Sequence, residues 1–195
     1  MVNFPPLFPT TGWFSVFLRE YADSFSRPCA IEIANNVLGS PKEFGRYILT
    51  DSSGRKQVQS LAVEGGGRQL RTFQKLSRLR LSEHGDWRRV HLGAIEAMLG
   101  RKPYYRHLEN GIQEIYHNRD LQTLEEFNIA IFNYLFSFLM EDVTEFTLKQ
   151  FRETPVIKER GKEIARHIDS GVSLLQAIAS YGKEALLGIL ALDMD

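Results

Sequence analysis

Disulfides, a charge excess and a membrane-length apolar run are all missing from this chain. Cys29 is the one cysteine among 195 residues, so neither a disulfide framework nor a cysteine metal site can form. Lys and Arg together number 24, as do Asp and Glu, and a net charge of zero does not favour a general affinity for nucleic acid or an anionic membrane. No window reaches about 18 uncharged apolar residues, which argues against a membrane span. The opening MVNFPPLFPTTGWF has no basic n-region and no unbroken apolar h-region, so it does not read as a signal peptide, and a cytoplasmic protein is expected. Several catalytic motifs are absent too: GxSxG, SxxK and the dinucleotide fingerprint. Gly65-Gly66-Gly67 follow a strand, but no helix start with Lys-Ser/Thr comes after them, so a loop between strands accounts for them better than a phosphate cradle.

What is present suits one well-packed core. Hydrophobic residues make up 43% and charged residues 25%, and the length fits a single domain over residues 1–195. Charge is unevenly placed along it. Residues 68 to 106 hold ten Lys or Arg against Glu83, Asp86 and Glu96, whereas residues 109 to 145 hold eight carboxylates against Arg119 alone. Such a division suggests either an anion-facing side or two halves that attract each other.

Hydrophobic spacing divides the chain near residue 82. A helix capped by Thr10 or Thr11 carries Phe14, Phe17, Leu18 and Tyr21 at i, i+3, i+4 and i+7. Strands are predicted over 30–34, 44–50, 55–63 and 76–81, with Asp51-Ser52-Ser53-Gly54 as a hairpin turn. Helices follow over 87–99, from Pro103 onward, and over 121–140, 156–168, 173–181 and 183–192, with Gly100 a possible stop and Ser173…Gln176 a cap. The segment 121–140 is apolar nearly all round and reads as the central buried helix. The fold class expected is α+β: a mostly antiparallel N-terminal β-sheet region over about 1–82, then a C-terminal helical layer over 83–195.

Four places could carry chemistry. His91 shares a helix face with Trp87 and Ile95, and is either a general acid/base or a half-buried histidine bonded to a carbonyl or carboxylate. His84, just ahead of that helix, could join Arg88 and Arg89 in holding an anion at the helix start; plain capping by Ser82 or Asp86 is the alternative. His84 and His91 lie seven apart without a zincin Glu, so no metal site is expected. Asn128 interrupts the apolar stripe of the central helix, where its amide ties the helix to a loop or meets a ligand. Tyr104 and Tyr105 could stack on a sugar or base, or serve as core and rim. The last two helices carry a single Lys, which argues against a DNA-reading pair.

Trp87 and His91 four apart, then Ala94-Ile95-Glu96-Ala97, then Pro103-Tyr104-Tyr105, together resemble the WbqC-like family of bacterial proteins. Pro5, Pro9-(two residues)-Gly12-Trp13-Phe14, Arg46, Gly54, Ser60, Val63-Glu64-Gly65-Gly66 and the Leu124–Asn128 stretch are similar to further family pieces. The likeness spans about residues 4 to 140, with the tail only generically similar. It implies a link to bacterial surface polysaccharide (O-antigen) synthesis and an acyl or aminoacyl, glycine-type transferase working on an anionic donor or sugar nucleotide. In that reading His91 is base or orienter, Arg46 with Arg88 or Arg89 holds the anion, and Trp87 and Tyr104 form an apolar wall. The chain departs from the family pattern at Phe4, Gly45 and Ala62, where the family has Gln, Asn and Pro. Those losses remove groups that would orient a substrate, so a non-catalytic binding protein of the same fold is the alternative. Cofactor, donor, acceptor and oligomeric state stay open.

Overall fold

The computed structural model describes residues 5–22, 38–39, 41–51, 53–64, 74–141, 143, 150–151 and 153–192. The predicted strand at 30–34, the glycines 65–67, Phe4 and Cys29 lie outside these residues. The elements in chain order are α1 (Thr11–Ala22), β1 (Leu38–Gly39), α2 (Pro41–Phe44), β2 (Arg46–Thr50), β3 (Lys56–Ser60), β4 (Gln74–Lys75), α3 (Trp87–Leu99), α4 (Tyr105–His117), α5 (Leu124–Met140), α6 (Pro155–Ala165), α7 (Leu174–Tyr181) and α8 (Ala185–Ala191). This is an α+β arrangement, with antiparallel strand pairs on the N-terminal side and helices after them. The strands form two separate pairs, β1 with β4 and β2 with β3. No helix among the described residues is long and apolar enough to cross a membrane.

The β2–β3 hairpin forms where the sequence places it. Asp51 Oδ1 accepts from the Ser53 N–H at 2.8 Å, the Ser53 hydroxyl at 2.6 Å and the Arg55 N–H at 2.9 Å, while Gly54 takes φ +83°. The Ser53 bonds, more than anything else, hold the Asp51 carboxyl below its usual range. Strand alternation then turns Tyr47 and Leu49 into the core and leaves Ile48 and Val58, which face each other across the pair, on the outside.

The predicted strand at 76–81 is corrected. After β4 the chain makes a 3₁₀ turn over Leu76–Arg78, and only single bridges follow, Arg80 to Thr123 and Leu81 to Val63. Leu76 and Leu79 are both fully buried. They are three apart, the repeat of a 3₁₀ turn, and the alternation with Arg78 and Arg80 concealed it.

α5 is the central helix. Its start is fixed by a capping box, in which Thr123 accepts from the Glu126 N–H at 3.2 Å and Glu126 accepts from the Thr123 N–H at 2.9 Å. Leu124, Phe127, Ile131, Leu135 and Leu139 are wholly buried along it. Phe14 and Phe17 of α1 pack their rings on Phe132 and Phe136. The N-terminal segment is also bolted to the tail: the Leu174 N–H donates to the Pro9 carbonyl at 2.7 Å, and the Thr11 hydroxyl to the Asp169 carbonyl at 2.6 Å.

α6 and α8 approach so closely that glycine is needed on both. A Cβ on Gly161 would lie 2.8 Å from the Leu187 carbonyl oxygen, and one on Gly188 would lie 2.5 Å from Cγ2 of Ile164. Gly161→Ala is therefore expected to cost about 1–3 kcal/mol by overpacking, despite alanine's better helix propensity. Urea unfolding measures this; an unchanged or raised midpoint would show that the two helices can separate freely.

Candidate functional site

Trp87, Arg88 and His91 come together, as their spacing on α3 predicts, and they do so inside the protein. The Trp87 indole N–H donates to the Ser82 carbonyl at 2.7 Å, which fixes the start of α3 against the preceding turn. His91 is 2% exposed. Its Nε2 lies 3.1 Å from the Ser60 carbonyl and its Nδ1 lies 3.4 Å from the Tyr116 hydroxyl. A carbonyl can only accept, so Nε2 carries the proton and Nδ1 accepts from Tyr116. The rings of Trp87 and Tyr47 stand edge-on to the imidazole, each at 5.4 Å. Burial drives the His91 pKa down to about 4 against the opposing pull of the Ser60 carbonyl, so the ring is neutral at pH 7.

The surrounding hydroxyls are shifted the other way. Burial raises both the Tyr47 and the Tyr116 phenol well above the ordinary tyrosine range, and the two are electrostatically coupled. The Tyr47 hydroxyl is buried without a partner in ordinary hydrogen-bond geometry. None of these groups is ionised near neutral pH, and the cluster lines none of three hollows found among the described residues.

Arg88 is 5% exposed and is committed to the fold. Its guanidinium donates to the carbonyls of Tyr116 at 2.8 Å and Asn118 at 3.3 Å, which end α4, and to Glu83 at 3.4 Å. It also lies over Trp87 at 4.7 Å and Phe127 at 5.7 Å. A cation on free carbonyls at a helix C-terminus is favourable. Burial lowers its pKa.

The other predicted site residues are scattered. Arg89 is exposed and paired with Asp86, which raises its pKa. Asp86 makes no side-chain cap to α3; the Ser82 hydroxyl instead accepts from the His84 N–H at 3.1 Å, with His84 itself exposed. Arg46 lies on the outer face of the hairpin and donates to the Ser60 hydroxyl at 3.4 Å, whereas Tyr47 next to it faces His91. Tyr104 is 39% exposed and covers Gly182, where its ring would lie 2.7 Å from an added Cβ. Asn128 donates to the carbonyls of Pro5 at 3.1 Å and Phe44 at 2.9 Å, tying α5 to the two segments before the hairpin.

A cleft of about 600 Å³ opens elsewhere, where four separate stretches of chain meet. The outer face of the hairpin supplies Ile48, Thr50 and Lys56; the turn before α4 supplies Lys102 and Pro103; the 167–172 turn supplies His167 and Asp169; and α7 supplies Gln176, Ser180 and Tyr181. The Thr50 N–H donates to Gln176 Oε1 at 2.9 Å, which fixes the hairpin to α7 across the cleft. Lys56 and Lys102 make no ion pair within the described structure. The two carboxylates of the cleft each have Oδ1 already bonded to the backbone, Asp51 in the hairpin turn and Asp169 to the Gly171 N–H at 2.8 Å. Each carboxylate keeps its Oδ2 for a ligand, and the two ammonium groups make no ion pair among the described residues, so the cleft offers strong donors alongside these acceptors. Among the described residues no group of three or more His, Cys, Asp or Glu could hold a metal ion. No local sequence pattern connects these residues as a site.

Comparison with known proteins adds a family and nothing finer. No curated protein and no solved structure matches the chain. The sequence profile of the WbqC-like protein family matches residues 45–178, starting beyond the proline-rich N-terminus and running further into the helical tail than the motif likeness does. The match takes in the hairpin, α3 to α6 and most of α7, and with it most of the cleft. The chain belongs to the WbqC-like protein family.

Proposed function

We propose that this chain is a binding protein for an anionic small molecule, with the cleft between the β2–β3 hairpin and α7 as its site. The observation that carries this reading is the pair of lysines, Lys56 and Lys102, that make no ion pair among the described residues and line one hollow of about 600 Å³. Pockets of that size hold drug-sized ligands. Ammonium groups without a protein partner are strong donors for phosphate or carboxylate oxygens. The family setting makes an activated building block of bacterial surface polysaccharide, a sugar nucleotide or an acyl donor, the natural candidate, in a cytoplasmic protein.

A transferase built on His91 has less support. Its imidazole is shut away with both nitrogens engaged, and a general base must reach the proton that it removes. Arg88 holds carbonyls where an anion clamp would need a free fork, and Arg46 lies on another surface. If acyl or aminoacyl transfer occurs, the cleft is the better place for it, with the His167 imidazole among its lining groups.

Thermal melting with millimolar inorganic pyrophosphate tests the proposal directly. A ligand that binds only the folded state raises the midpoint. The rise should vanish in Lys56→Ala/Lys102→Ala, a change at an exposed and a half-buried side chain, neither in an ion pair among the described residues, that leaves the unliganded midpoint close to that of the parent. No rise in the parent, or an equal rise in the double variant, would overturn the assignment.

A further inference from the structure

We infer that the ligand is a two-part molecule joined by a diphosphate, its linker lying against Lys102 with one part on either side; this rests on the anion-binding reading above. A second hollow of about 770 Å³ adjoins the first, and the two share Asp51 and Lys102 among their lining residues. Together they exceed the roughly 300–1,000 Å³ that one drug-sized molecule fills. Lys102 stands at their seam as a compact charge with three donors and no ion pair among the described residues, beside the Asp51 carboxylate whose Oδ1 is held by the hairpin backbone. Such an ammonium suits a linker of phosphates better than a flat carboxylate.

The two hollows differ in what they could grip. On the hairpin side, Tyr181, Pro103 and Ile48 present aromatic and apolar faces, and the Gln176 amide and Ser180 hydroxyl stand among them. A flat heteroaromatic body with edge donors and acceptors fits such walls, since it can stack and hydrogen-bond at once. On the other side, α3 presents Gly93 and Ala97, whose small side chains leave the surface open, with the Glu96 carboxylate and the Arg101 guanidinium beside them. Acceptor and donor next to each other suit a polyhydroxylated body, because each hydroxyl both donates and accepts. A nucleoside diphosphate esterified to a sugar has these parts in this order.

Calorimetric titration of the full chain with UDP-glucose, UDP and inorganic pyrophosphate reads the two halves separately. UDP-glucose should bind about tenfold more tightly than UDP, which corresponds to about one further hydrogen bond to a charged group. Glu96→Gln, at an exposed position, should remove most of that margin and leave UDP binding alone, whereas Tyr181→Ala should weaken both nucleotides and spare pyrophosphate. If UDP and UDP-glucose bind equally and Glu96→Gln changes neither, the two-part ligand is wrong while the anion site stands. If pyrophosphate does not bind, the anion site itself is wrong and this inference fails with it.

Discussion

Arg88→Ala will destabilise the protein by about 3–4 kcal/mol, because it strips donors from the buried Tyr116 carbonyl and the part-buried Asn118 carbonyl and empties the space between two aromatic rings. The carbonyls of Tyr116 and Asn118 end α4, where no further helical N–H is available to them. Guanidinium and indole are stacked at 4.7 Å, so the side chain is packing as well as charge. Arg88→Met separates the two contributions, since it keeps most of the aliphatic bulk and loses the donors; it should recover only part of the stability. Denaturant midpoints for both variants decide the matter. If Arg88→Ala unfolds within about 0.5 kcal/mol of the parent, an ordinary value for surface substitutions, the guanidinium is not the clasp between α3 and α4.

The second large effect is one of acid. The folded-state pKa of His91 is about 4, below the ordinary value of 6.5 to which unfolding returns it. Between those two values the unfolded chain binds a proton that the folded chain refuses, so stability rises with pH across that window. The contribution is complete above about pH 6.5 and is lost as pH falls toward 4, where it amounts to about 3 kcal/mol. Urea titrations at pH 7, 5.5 and 4.5 should therefore show a steep loss in the parent. His91→Gln, which cannot titrate, should start less stable at pH 7 and fall less steeply. Parallel pH profiles for the two proteins would refute the sealed imidazole, and with it the argument that moves function away from this residue. The same variant tests chemistry. Should a transferase activity be found, His91→Gln is expected to keep it wherever the variant stays folded.

Periodicity was a sound guide to the helices and a poor one to their surroundings. The bounds of α3 follow from its sequence stripe, and residues 121–123 of the predicted central helix prove to be its lead-in and cap. The Thr123-(two residues)-Glu126 box was legible there, and it marks the true start. The Gly100 stop is a stop without the left-handed turn usual for glycine, since its φ is −58°. At 76–81 two periods coexist, and the alternation with Arg78 and Arg80 was the weaker of them. Among the described residues the mostly antiparallel N-terminal β-sheet region consists of two strand pairs.

Helical spacing shows which side chains share a face, and Trp87, Arg88 and His91 do meet. It carries no information on what that face is turned toward. Tyr47 from the hairpin, Tyr116 from α4 and Phe127 from α5 make the difference between a catalytic hollow and a core, and they come from three other stretches of the chain. The cleft is a stronger case, because Lys56, Lys102, His167 and Tyr181 have no local pattern in common. Composition, capping residues and hydrophobic repeats are local properties, which is why the helices, the hairpin, the α+β class and the family can be read from the residues alone. Burial and juxtaposition depend on which distant segments pack together. Only the tertiary structure could decide that the histidine is enclosed and that two lysines far apart in the chain share one hollow.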